Sequence, residues 1–216
     1  MQATPLINAQ ALHDLLARDA SNVLIFDCRH DLVDSSLGAR LYAEGHLPGA
    51  VFLSVDRQLS AAKSGSNGRH PLPTVETFAQ TLATMGVNDN TIIVGYDNTG
   101  GQYAARLWWM ARWAGHANVL VLDGGLNAWT KAGFSVTTEV PAPKSNGNFK
   151  IKPSLAKSVS MQQVRAGLSQ TDRIIVDARP FDRFQGQNET LDPKAGHIPG
   201  SASRPTPQNL TQDEIG

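Results

Sequence analysis

The chain has 216 residues, 19 Lys and Arg against 19 Asp and Glu, and 41% hydrophobic residues, the composition of an ordinary globular protein of one or two domains. Balanced charge without a basic run argues against a nucleic-acid partner. No apolar run reaches the ~18 residues of a membrane span, and the N-terminal MQATPLINAQALHDLLARD has no basic start followed by an apolar stretch, so it is not read as a secretory signal. A cytoplasmic protein with no membrane partner is expected. The single cysteine, Cys28, cannot form an internal disulfide. The six histidines, at 13, 30, 46, 70, 116 and 197, show no i, i+3 or i, i+4 pair, so no metal and no cofactor are expected.

In chain order, a helix is expected over AQALHDLLARD (9–19). It is followed by the apolar strand VLIFDCR (23–29), which carries an Asp-x-Arg pair, then a polar loop and the phrase GHLPGA (45–50). Thr74 opens an amphipathic helix with Val75, Phe78, Leu82 and Met85 at three- and four-residue steps, closed by Gly86. TIIVGY (91–96) reads as a buried strand and ARLWWMARWAG (105–115) as a helix ending at Gly115. NVLVL (118–122) reads as a strand and GGLNAWTKAG (124–133) as a short helix. Strands alternating with helices predict an α/β fold, a parallel sheet flanked by helices on both faces.

The segment EVPAPKSNGNFKIKPSLAK (139–157) holds three prolines and no period, and reads as a linker. The pattern then repeats: a helix over SMQQVRAGLSQ (160–170) with a Ser160–Gln163 capping box, the strand RIIVDAR (173–179), a polar loop and GHIPGS (196–201). Asp177 and Arg179 match Asp27 and Arg29, and His197 matches His46. The expected organisation is therefore domain 1 over 1–138, the linker over 139–157, and domain 2 over 158–216. Domain 2 contains one helix, one strand and a second short strand near 201–205. That is too little to bury its own apolar face. It is expected to be poorly ordered, or completed by a second polypeptide or by further chain.

The repeated Asp-x-Arg and GH-x-PG phrases, the WWM helix and VLDGGLNAW, in that order, resemble the rhodanese family. They are most similar to its two-domain sulfurtransferases that use thiosulfate or 3-mercaptopyruvate. The resemblance implies tandem rhodanese-like domains and transfer of a sulfane sulfur from a small anionic donor to cyanide or a thiol. In an active domain the carrier is a cysteine persulfide. The cysteine sits in a strand-to-helix loop whose amides and helix N-terminus stabilise a thiolate. In domain 1 that loop reads YDNTGGQ (96–102), with Asp97 in the cysteine position, which implies an inactive type. Counting the same interval from Asp177 places the second loop about 30 residues beyond Gly216, so no catalytic residue is expected within these 216 residues. The chain alone is expected to be inactive. The alternative is a non-catalytic rhodanese-like interaction module. A cysteine-loop phosphatase would need Cys-x5-Arg, which is absent.

Four further expectations follow. Cys28, matched by Ala178 in the second copy, packs rather than reacts. Asp27, Asp177, His46 and His197 hold loops. The four tryptophans are core or interface residues. By resemblance, Arg183 in DARPFDRFQG is the substrate-binding residue, offering a guanidinium fork to an anionic donor where domain 1 has Val33.

Overall fold

The computed structural model describes residues 4–170 and 172–211, which divide into two compact units at Lys157 and Ser158. Among the described residues, no helix is long and apolar enough to cross a membrane.

In the first unit the elements run β1 (Leu6–Ile7), α1 (Ala9–Asp19), β2 (Val23–Asp27), α2 (Leu37–Glu44), β3 (Val51–Phe52), α3 (Val75–Thr84), β4 (Ile92–Tyr96), α4 (Ala104–Trp113), β5 (Val119–Leu122) and α5 (Gly125–Lys131). The five strands form one parallel sheet in the order β1-β5-β4-β2-β3. Continuous apolar runs such as VLIFD suit strands covered on both faces. Alternation within each run sends side chains to two cores. Leu24, Phe26 and Ile93 join Phe78, Leu82, Leu107 and Met110 beneath α3 and α4. Val23, Ile25, Val94 and Tyr96 join Leu12 and Trp129 beneath α1 and α5. Each such Leu or Phe contributes about 1.5–3 kcal/mol relative to its exposed state. Trp108 and Trp109 pack against the first core, and Trp109 stacks on Trp113.

Helix starts follow side-chain chemistry. Asn8 accepts from the Ala11 amide (2.8 Å) and Thr74 from the Thr77 amide (3.2 Å), so both helices begin where a short polar oxygen can satisfy an orphan N–H. Three features depart from the expected elements. Helix α2 occupies part of the supposed polar loop; only Gly38 and Tyr42 of it are buried, so its apolar stripe is too thin to read. Strand β1 is a two-residue edge beside β5, short of any period. The compact unit also extends through 139–157. That segment has no helix or strand, yet the amides of Gly147, Phe149, Lys152 and Leu155 donate to the carbonyls of Ala83, Val87, Ala114 and Arg112. Phe149 is buried in the core beside His116. The prolines mark a strap held by the first unit.

The second unit holds α6 (Met161–Ala166), β6 (Val176–Asp177), α7 (Phe181–Phe184) and β7 (Ala202–Ser203), with β6 and β7 paired in parallel. Helix α6 has the expected capping box, with Ser160 and Gln163 each satisfying the other's amide, but it ends at Gly167 rather than at residue 170. Of the expected strand 173–179, only Val176–Asp177 is strand, where β7 lies beside it. Among the described residues, every buried hydrophobic one belongs to the first unit. Val159, Met161, Ile174, Val176 and Phe181 are each more than half exposed.

Candidate functional site

Strand β4 ends in Tyr96, and the chain then turns through Asp97–Tyr103 into α4. Gly100 and Gly101 adopt positive φ (71° and 81°), which turns the loop amides inward. The anion they surround is the loop's own. Asp97 Oδ1 accepts from the amides of Thr99 (2.8 Å) and Gly101 (2.9 Å), and Oδ2 from those of Tyr103 (2.8 Å) and Ala104 (2.9 Å). The Thr99 hydroxyl adds a longer contact of 3.3 Å. Asp97 is 1% exposed. The α4 N-terminus adds its positive end to the cradle. On the far side, Gly125 presses on the Asp97 carbonyl so closely that a Cβ would overlap it.

Beneath this loop lies a buried polar bracket. Asp27 takes the Arg29 amide (3.0 Å), the Arg29 guanidinium (2.6 Å at Nη2) and the Tyr96 hydroxyl (2.7 Å). Burial and the Asp27 carboxylate push the Tyr96 phenol far above its ordinary range. Arg29 Nη2 also reaches the Gly45 carbonyl at 2.7 Å, tying the strand end to GHLPGA. His46 Nδ1 lies 2.7 Å from the Tyr42 carbonyl, and its ring stacks on Tyr42. The second unit repeats the bracket. Arg179 joins Asp177 (2.7 Å) to the Gly196 carbonyl (2.5 Å), and His197 lies 2.7 Å from the Phe184 carbonyl and stacks on Phe184. Asp27, Asp177, His46 and His197 therefore hold loops.

Cys28 follows Asp27 with its side chain in the core beneath α3 and α4, fully buried. Burial, then the Asp97 and Asp27 carboxylates, push its thiol well above the ordinary range. A backbone hydrogen bond at Tyr96 acts the other way but more weakly, so the protonated thiol is favoured over the thiolate.

Arg183 stands in α7. Its Nε donates to Glu189 Oε2 (3.0 Å) and its Nη2 to Asp192 Oδ2 (2.8 Å). Glu189 also accepts the amides of Leu191 and Asp192, both at 3.0 Å. The Arg183 hydrogen bond, and then these amides, lower the Glu189 carboxyl to about 2. A depressed carboxyl adds stability that is complete above its unfolded value and is lost as pH falls through the folded one. Proteolysis within 182–196 is therefore expected to quicken as pH drops from about 4.5 towards 2, with that step absent in Glu189→Gln. Val33, at the matching place in the first unit, is 87% exposed.

A cavity of about 760 Å³ opens in the first unit beyond the carboxyl ends of β2 and β3. Open α/β sheets receive ligands at this edge. Its wall carries His30, Asp56 and His70, with Arg57, Lys63 and Arg69 around them. His70 Nε2 is 3.1 Å from Asp56 Oδ1, and His30 Nδ1 is 4.0 Å from Asp56 Oδ2. Burial lowers the His70 pKa from its ordinary value, despite the Asp56 carboxylate. Sequence reading did not find this group, because residues 30, 56 and 70 share no local spacing and only the fold joins them.

The rhodanese-like domain family matches residues 8–132, more than half of the chain. The chain belongs to the rhodanese family. The match falls within the first unit, the one whose amide cradle holds Asp97. A Pseudomonas aeruginosa protein named a probable 3-mercaptopyruvate sulfurtransferase is 39% identical over 99% of this chain and 75% of its own length. The chicken thiosulfate sulfurtransferase is 34% identical over 79% of this chain and 58% of its own length. Among solved structures, the Escherichia coli protein described by the rhodanese fold of 3-mercaptopyruvate sulfotransferases aligns with a TM-score of 0.77 and 31% identity. That alignment covers 94% of this chain and 75% of the other. The parallel sheet and tandem arrangement read from the sequence agree with this rhodanese fold.

Proposed function

We propose that the protein moves a sulfane sulfur from thiosulfate or 3-mercaptopyruvate to a thiol or cyanide acceptor, and that its first unit is scaffold. The carrying observation is the Asp97 carboxylate seated in the amide cradle. It belongs to a chain 39% identical, over 99% of its length, to a protein named for 3-mercaptopyruvate sulfur transfer. A cradle of amides that fits a thiolate or persulfide is here filled by a group that cannot carry sulfur. In the proposed step a cysteine thiolate attacks the outer sulfur of thiosulfate, and the donor S–S bond breaks with its electron pair on sulfite. Cyanide then takes the outer persulfide sulfur as thiocyanate and restores the thiolate.

Cys28 does not suit this step, being buried and held protonated. By the repeat spacing, the nucleophile is the second-copy equivalent of Asp97, about 30 residues past Gly216. Arg183 binds the anionic donor. Its fork is shared with Glu189 and Asp192, so the donor enters by displacing Asp192, the more exposed carboxylate at 35% against 4%.

The test is thiocyanate formation from cyanide with each donor. The 216-residue chain is expected to form none, and Cys28 is expected to resist Ellman's reagent until guanidinium chloride unfolds the protein. Turnover by this chain that disappears in Cys28→Ser would overturn the scaffold role. Absence of turnover with both donors in the protein extended past Gly216 would overturn sulfur transfer and favour the non-catalytic interaction module.

A further inference from the structure

We propose that His30, Asp56 and His70 form a binding site for a divalent transition-metal ion, with zinc the first candidate. The donors are two imidazoles and a carboxylate, a set that suits zinc. One ligand atom from each residue, a ring nitrogen or a carboxylate oxygen, lies within 4.8 Å of the other two. In a tetrahedral site with zinc bonds of about 2.0–2.1 Å, neighbouring donors stand about 3.3 Å apart. The His70–Asp56 pair is already there at 3.1 Å. His30 Nδ1 stands 4.0 Å from the other oxygen of Asp56, Oδ2, and a rotation of the Asp56 carboxylate, which faces the cavity, would bring one oxygen towards both rings.

The three residues come from two loops, and the fold fixes each. His30 is buried three residues past β2, its ring edge-on to Tyr103 at 5.0 Å. Asp56 follows β3. The loop that carries Asp56 and His70 is clasped to α4 by Arg106, which donates to the carbonyls of Leu59 (2.8 Å) and His70 (3.0 Å). Scaffolded donors of this kind limit the ordering entropy that binding a metal costs. Three protein ligands leave a fourth position facing the cavity. The cationic side chains of Arg57, Lys63 and Arg69 along that wall oppose a bare cation and favour an anionic fourth ligand such as hydroxide or a thiolate. The site does not depend on the sulfur-transfer reading.

The experiment is calorimetric titration of zinc chloride into the 216-residue protein. Cobalt(II) absorption serves as a second probe, because a tetrahedral site gives intense visible bands. The expected result is saturable one-to-one zinc binding, weakened at least tenfold in both His30→Gln and His70→Gln. It should be unchanged in His13→Gln, a part-exposed histidine of α1 that stacks on Phe134 and does not line the cavity. Thermal melts followed by tryptophan fluorescence identify any variant that does not fold. Asp56→Asn, at a part-exposed position, replaces such a variant and is expected to weaken zinc to the same degree. No saturable binding by the parent protein would overturn the proposal, leaving His70–Asp56 as a hydrogen-bonded pair only. Binding that persists in folded His70→Gln and Asp56→Asn would overturn it equally.

Discussion

Replacing Asp97 with alanine is expected to lower the stability of the first unit by about 4 kcal/mol. The native carboxylate satisfies the amides of Thr99, Gly101, Tyr103 and Ala104, the last two being the N-cap and first residue of α4. Each buried donor left without a partner costs about 1–3 kcal/mol, less where water can replace the lost acceptor. Ala104 is fully buried and Tyr103 partly, so water reaches the amides unevenly. The truncation also removes a negative charge from a helix N-terminus, worth about 0.3–1 kcal/mol more. Asp97→Asn keeps one acceptor oxygen but points its NH2 at amide donors, and should lose about half as much. The measurement is urea unfolding followed by tryptophan fluorescence. Trp108, Trp109, Trp113 and Trp129 all belong to the first unit, so the signal reports that unit alone. A loss below about 1 kcal/mol would mean that the cradle accommodates water freely, and that Asp97 is not what holds it shut.

The main frame of the first unit was legible because its signals are local. VLIFD and IIVGY are unbroken apolar runs, and α1, α3, α4 and α5 each show a cap, a period or a terminal glycine. The repeat of Asp-x-Arg with GH-x-PG correctly implied one loop bracket per copy, since the same bridge from Arg29 to Gly45 recurs from Arg179 to Gly196. What was not legible depends on contacts between distant residues. The strap over 139–157 reads as a linker because it is bonded through backbone amides to Ala83, Val87, Arg112 and Ala114, and backbone bonding leaves no side-chain pattern. The histidine–aspartate group escapes a search for short metal spacings for the same reason. Asp97 is the intermediate case. Its position was legible by alignment of the loop. Its physical role, as the internal anion of its own cradle, required the inward-facing amides to be seen.

Arg29→Ala is expected to destabilise the first unit by about 3–5 kcal/mol, whereas Arg179→Ala, the same change in the second copy, should cost about 1 kcal/mol or less. The two brackets share chemistry and differ in solvent. In the first, Asp27 and Arg29 are 0% and 4% exposed; in the second, Asp177 and Arg179 are 14% and 29% exposed. Removing the guanidinium from the first leaves a carboxylate inside the protein with the Tyr96 hydroxyl and one amide as partners, and frees the Gly45 carbonyl as well. Removing it from the second lets water reach Asp177 directly. The double variant Arg29→Ala with Asp27→Asn isolates the cause. If the cost comes from an uncompensated buried charge, the double variant recovers much of the loss, because the neutral amide has less to lose by burial. If the double variant is as unstable as the single one, the guanidinium matters chiefly as the tie to Gly45, and the bracket is a mechanical link between strand end and loop. Equal losses for Arg29→Ala and Arg179→Ala, read by hydrogen exchange in each unit, would show that exposure does not set the strength of these brackets.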